Sequence, residues 1–168
     1  MALHQVYLSV GSNIVDCLGN CCRGIENLCA DGKLRLLARS PFYRTQPVDY
    51  VEQEWFVNAA LLVQTGLTPL ELLEKTQAIQ AQMGRKDDAI RFGPRILDLD
   101  IIFYDDMVID TPHLVVPHPR MHKRRFVLQP ICDIDPTVVH PVLGRNVGEL
   151  LNELPTDHQD MKPCSSDC

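Results

Sequence analysis

The stretch "RILDLDIIFY", residues 95 to 104, restricts the fold more than any other part of the chain. Apolar residues at 97, 99 and 101 alternate with Asp98 and Asp100, the period of a β-strand whose two faces meet different surroundings. Leu97, Leu99 and Ile101 are expected to point together into a helix-backed core, and the two aspartates to point together the other way. Their Cα atoms would lie roughly 6.5 to 7 Å apart, two residue rises along a strand. Carboxylates that close repel, and a partly desolvated one takes up a proton unless a cation sits between them. Magnesium is the hard cation suited to oxygen ligands, and two Mg2+ ions about 3.5 to 4 Å apart suit acids so placed. The plainer alternative for an isolated Asp-x-Asp is a solvated pair neutralised by Arg91 or Arg95.

The rest of the chain supplies partners for this strand. "QVYLSV" (5 to 10) reads as a first strand ending at Gly11, and Leu18, Cys21, Cys22, Ile25, Leu28 and Cys29 make one helical face that ends before Gly32. "LRLLARSPFYRT" and "FVNAALLVQT" read as two further strands, joined by a loop containing Pro47. Thr68, Pro69 and Glu71 form a capping box with proline at N1, Leu72, Leu73, Thr76, Ile79 and Met83 form the inner stripe, and Gly84 stands at the stop. After the charged loop "GRKDDAIRFGPR" comes the Asp-x-Asp strand, then a turn, a short strand, a short helix, and a last helix near "VGELLNEL". The order β, α, β, β, α, β with a C-terminal extension predicts an α+β, ferredoxin-like split βαβ fold, an antiparallel sheet backed by helices. Residues 1 to 154 are read as a single domain and 155 to 168 as a disordered tail.

At 168 residues and 45% hydrophobic composition the chain can bury a core without staples. No window approaches the ~20 apolar residues of a membrane span and the N-terminus lacks a signal-like segment, so a cytoplasmic monomer without membrane contact is expected. Seven cysteines, an odd number, without a signal sequence argue for reduced thiols, with Cys164 and Cys168 in a tail that hangs free. A net charge of -6 argues against nucleic acid as partner. Yet Arg85, Lys86, Arg91, Arg95, Arg120, Lys123, Arg124 and Arg125 lie within 41 positions, a local cationic region suited to a small polyanion.

Arg85, Arg91 and Arg95 sit on a loop framed by Gly84 and Gly93, suited to closing over phosphates. "VPHPRMHKRRF" adds His118, Arg120, His122, Lys123, Arg124 and Arg125 without an acid. Metal binding by His118 and His122 is disfavoured by Pro119 and by the want of a third ligand. Thr45, Pro47, Phe56, Asn58 and Phe126 are core-type residues that would equally suit a flat heteroaromatic ring, two rings stacking and an amide reading its edge.

"VYLSVGSN", "FYRTQPV", "FVNAA", "GPRILDLDIIFYDD" and "VPHPRMHKRRFVLQP", in this order, resemble the 6-hydroxymethyl-7,8-dihydropterin pyrophosphokinases of folate synthesis, over about residues 5 to 154. The resemblance implies transfer of pyrophosphate from ATP, the co-substrate, to the hydroxymethyl oxygen of the pterin with release of AMP. It implies that Asp98 and Asp100 hold two Mg2+ ions, that Arg85, Arg95, Arg124 and His118 contact phosphates, and that Leu73, Gln77 and Ile101 seat the nucleotide. It also implies that Thr45, Pro47 and Val48 contact the pterin, that Asn58 reads its edge, and that Phe56 and Phe126 sandwich its ring. Gln46, Asp49, Gln80, Asp87 and Phe92 depart from residues common in that family. A nucleotidyltransferase would need a third carboxylate on the neighbouring strand, and "FVNAALLVQT" has none. An arginine-lined binding module would not need two acids aimed at the arginines' ligand.

Overall fold

The computed structural model describes residues 2–85, 91–156 and 159–168. Strand β1 (His4–Ser12), buried from Val6 onwards, is an interior strand of a six-stranded antiparallel sheet. It pairs with β4 (Phe56–Thr65) on one side and β5 (Asp98–Tyr104) on the other. A strand flanked on both edges and covered on one face tolerates the near-continuous apolar run "VYLSV".

The single strand expected over "LRLLARSPFYRT" is instead two, β2 (Leu34–Arg39) and β3 (Tyr43–Thr45), laid end to end along the free edge of β4. Pro41 has no N–H to give a ladder, and Ser40 makes the corner. Its N–H donates to Ala60 O at 2.9 Å, and its Oγ accepts from Ala60 N–H at 2.9 Å. With β2 and β3 counted as one edge, the order across the sheet is β5, β1, β4, β2, the ferredoxin-like α+β arrangement expected.

Helices α1 (Cys17–Cys29) and α2 (Pro69–Gln82) cover one face, and Leu97, Leu99 and Ile101 join that core with Val6, Leu8, Val10, Leu28 and Leu72. Burying Leu72 and Ile79 alone is worth on the order of 2 kcal/mol each. A Cβ on Gly24 of α1 would come 2.7 Å from Leu97 Cδ1, so the helix lies directly on the approach to β5. The capping box of α2 is present on both sides, Thr68 with Glu71, and Gly84 has the left-handed φ of 106° that stops the helix.

Short strands β6 (Ile109–Asp110) and β7 (Val115–Val116) follow, then α3 (Arg125–Ile134) and α4 (Val147–Glu153). These two helices cover only part of the opposite face. The register of β1 with β5 shifts between Tyr7 and Leu8, and Ile102 and Phe103 both reach the second core with Leu128 and Ile131. The remainder of that face, over Ser9, Gly11, Asn58, Asp98 and Asp100, is the floor of an open cleft.

Two expectations are corrected. The tail does not hang free: Met161–Pro163 form β8, which pairs with β3. The sequence hid this because a three-residue strand is defined by the edge it joins. Nor are all thiols reduced, because Cys22 and Cys168 form a disulfide over a sequence separation of 146. Among the described residues no helix is long and apolar enough to cross a membrane.

Candidate active site

Asp98, the first residue of β5, stands opposite Gly11, and Asp100 stands opposite Ser9. Both therefore project from the uncovered face, into a cleft of about 300 Å³. Arg85 Nη1 lies 3.7 Å and Arg95 Nε 3.8 Å from Asp98 Oδ1, close enough for attraction but beyond hydrogen-bond distance. Arg85 instead donates to Gln80 Oε1 at 2.5 Å and Arg95 to Pro94 O at 3.1 Å. Burial first, and then the charge of Asp100, outweigh these arginines and push Asp98 up to about 7. The pair is short of positive charge at its centre. Among the described residues no group of three or more His, Cys, Asp or Glu converges. A metal here would take these two carboxylates plus ligands from substrate and water.

The wall facing the acids is cationic and aromatic. His118 accepts at Nδ1 from Arg120 N–H at 3.2 Å, which leaves the ring proton on Nε2. Burial, with Arg124 and Arg120 nearby, holds its pKa below the ordinary value against the pull of Asp100, so it is a neutral donor. Arg124 Nη2 meets Asp49 Oδ2 at 2.6 Å, and its guanidinium lies 5.4 Å from the centre of Phe126 and 5.8 Å from Phe92. Arg91 and Arg120 also stack on Phe92, at 4.8 and 4.6 Å. His122 does not line the cleft, and its ring lies 6.3 Å from that of His140.

At the opposite end Asn58, 5% exposed, donates through Nδ2 to Thr45 Oγ1 at 2.6 Å. Gly11 makes room for it: a Cβ there would come 2.3 Å from Asn58 Oδ1. Phe56, Phe126 and Val48 line the same end, with Gln46 and Asp49. Pro47 is buried and does not line the cleft. Leu73, Gln77 and Ile101 are not in it either: Ile101 is 5% exposed within the helix-backed core, Leu73 packs on that core, and Gln77 is exposed on α2. Lys86 and Asp87 lie outside the described residues.

The cleft brings in Arg91 and Arg120 of the expected cationic region, and also Gln53, for which the sequence offered no role. Beneath it Asn13, directly after β1, donates through Nδ2 to Gln53 Oε1 and accepts at Oδ1 from Arg95 N–H, each at 2.8 Å. The only sequence signal for Asn13 was its place in "VGSN", because its partners lie 40 and 82 positions away.

A ferredoxin-like α+β sheet with an acid pair on its open face and arginines around that pair defines a phosphate-handling enzyme of the transferase class. The chain belongs to the 7,8-dihydro-6-hydroxymethylpterin-pyrophosphokinase family, whose model matches residues 7–136, and is thus an ATP-dependent diphosphotransferase. The 2-amino-4-hydroxy-6-hydroxymethyldihydropteridine pyrophosphokinase of Methylorubrum extorquens is 39% identical over 89% of this chain and 93% of its own length. That of Pseudomonas aeruginosa is 37% identical, over 96% of this chain and 98% of its own length. The folic acid synthesis protein fol1 of Pneumocystis carinii is 39% identical over 94% of this chain, which spans only 21% of that longer protein. In fold, the chain resembles Plasmodium falciparum HPPK-DHPS in a structure with pteroate, with a TM-score of 0.72 at 16% identity over 90% of this chain and 42% of that one.

Proposed function

We propose that this chain transfers the pyrophosphoryl group of ATP to the hydroxymethyl oxygen of 6-hydroxymethyl-7,8-dihydropterin, releasing AMP, as a step of folate biosynthesis. The observation that carries this reading is Asp98 with Asp100 beside it and Arg85 and Arg95 at its flank. Relatives named for folic acid synthesis support the pathway.

The acid pair fits divalent cations, since the ionised form of Asp98 lacks sufficient counter-charge from the protein. Asp98 and Asp100 would hold two Mg2+ ions, which when bound supply positive charge to the phosphate oxygens and ease ionisation of the attacking hydroxyl. Arg85, Arg95 and Arg124 neutralise the triphosphate, and His118 donates Nε2–H to it without adding a proton that could be lost. Phe56 and Phe126 enclose the pterin ring, and Asn58, whose orientation is set by Thr45, reads its edge with its Oδ1 and remaining N–H. The side chains thereby align the hydroxymethyl oxygen in line with the phosphate under attack, and alignment with charge neutralisation is what this chemistry asks of a protein. No nucleophilic side chain takes part.

The test is a nucleotide product assay with Mg2+, ATP and the hydroxymethyl pterin. AMP formed only when the pterin is present is the expected result. ADP as the product, or AMP formed without pterin, would overturn the reading.

A further inference from the structure

Strand β3 has three residues, and the Ser40–Pro41 corner separates it from β2, so β4 alone would hold it by one edge. β8 occupies the other edge, pairing Pro163, Lys162 and Met161 with Tyr43, Arg44 and Thr45. The bonding continues past both ends of the strand. Gln46 N–H donates to Asp160 O at 2.9 Å, Asp160 N–H donates to Gln46 Oε1 at 3.2 Å, and Cys164 N–H donates to Phe42 O at 2.8 Å. The departure Gln46 thus has a structural use.

Gln159 reaches across to the other wall of the cleft. Its Oε1 accepts from Arg125 N–H at 2.7 Å and its Nε2 donates to Lys123 O at 3.0 Å, so it bonds the backbone on either side of Arg124. One segment therefore holds Thr45 and Gln46 on one side of the aromatic end and Arg124 and Phe126 on the other. At its far end Cys168 is bonded to Cys22 of α1, Arg39 pairs with Asp167, and Cys164 packs against the core.

We infer that residues 159–168 are a strap that positions the pterin half of the site, and that the Cys22–Cys168 disulfide sets whether the strap is held. This rests on the pterin pyrophosphokinase reading above. A three-residue strand with one paired edge is a weakly held element. Ser165, Ser166, Asp167 and Cys168 are all exposed, so beside the Arg39–Asp167 pair the disulfide is the covalent fastening of this end. When β8 leaves, Thr45 loses one of its two neighbouring strands and Asn58 loses the fixed partner of its amide. Asp98, Asp100 and Arg95 are held by β5 and its approach on the far side of β1, so of the groups assigned to the nucleotide only Arg124 depends on the strap.

Cys168 is open to a reagent. One thiolate of a dithiol attacks Cys168 Sγ and Cys22 leaves as thiolate. The second thiol of the reagent then displaces Cys168, giving two protein thiols and one cyclic oxidised reagent.

The experiment measures pterin and nucleotide dissociation constants for the full chain, oxidised and after dithiothreitol, together with amide exchange at Gln46 and Cys164. Reduction should weaken pterin binding ~10-fold, about the effect of ordering one further residue on binding, with a smaller loss of nucleotide affinity through Arg124. Cys168→Ser should match the reduced protein in both states, and Gln159→Ala should weaken pterin binding with the disulfide intact. Amide exchange at Gln46 and Cys164 should speed up on reduction. Unchanged exchange and unchanged pterin affinity on reduction would overturn the strap, as would air-oxidised protein without the disulfide. If oxidised protein binds no pterin at all, the functional reading fails, and the exchange measurement still judges the strap.

Discussion

Asn13 donates through Nδ2 to Gln53 Oε1 at 2.8 Å, and that bond ties the end of β1 to the loop carrying Val48 and Asp49. Gln53 in turn donates through Nε2 to Phe92 O at 2.9 Å, so one amide pair clasps both loops that border the cleft. Phe92 sits at a left-handed φ of 58°, a conformation that a side chain adopts at some cost and that this bond helps to hold. Gln53→Ala should raise the KM for pterin ~10-fold with a smaller effect on kcat, since two hydrogen bonds to partly buried partners are lost. Steady-state kinetics with pterin varied at saturating ATP checks this. An unchanged pterin KM would show that the clasp is not needed for binding.

Gly11 and Asn58 share one space. Gly11→Ala would place a methyl 2.3 Å from Asn58 Oδ1, forcing the amide off Thr45 or the strands apart. A stability loss of about 1–3 kcal/mol and a larger loss of pterin affinity are expected. Urea unfolding and pterin titration read the two effects separately, and a variant with wild-type values for both would contradict the packing.

The raised pKa of Asp98 makes the metal-free protein sensitive to pH in a definite direction. Its folded value, about 7, is above the ordinary 3.8, so the folded state favours the protonated form. That contribution is fully present below about 3.8 and is lost as pH rises through about 7. Asp98→Asn should therefore stabilise the metal-free protein at pH 8 by on the order of 1 kcal/mol, solvent screening included, and by much less at pH 5. Unfolding in EDTA at the two pH values tests it. Equal effects at both would show that the carboxylate is not penalised by its surroundings.

Local signals in the sequence were the readable ones. Thr68, Pro69 and Glu71 marked the start of α2 because a capping box is complete within four residues. Asp98 and Asp100 could be assigned to one face because strand alternation is local. The break between β2 and β3 was not readable, since the bonds of Ser40 to Ala60 are set by tertiary structure. β8 and the disulfide escaped for the same reason, as their partners are separated from them by more than half the chain. Leu73, Gln77 and Ile101, placed at the site by resemblance alone, do not line the cleft.

The cap of α2 lies outside the cleft, which makes it a control. Thr68→Ala removes the acceptor for Glu71 N–H and should cost about 1 kcal/mol of stability, leaving kcat and both KM values unchanged. Thermal unfolding beside steady-state assays would show this, and altered kinetics would imply that α2 communicates with the site.

The central claim is that both carboxylates on the open face of β5 are required for transfer. Turnover of Asp98→Ala and Asp100→Ala, measured as AMP released from ATP and the hydroxymethyl pterin in saturating Mg2+, tests it most directly. Each should fall about 100- to 1,000-fold or more, with the circular dichroism spectrum of the wild type. Near-normal AMP release by either variant would contradict the account.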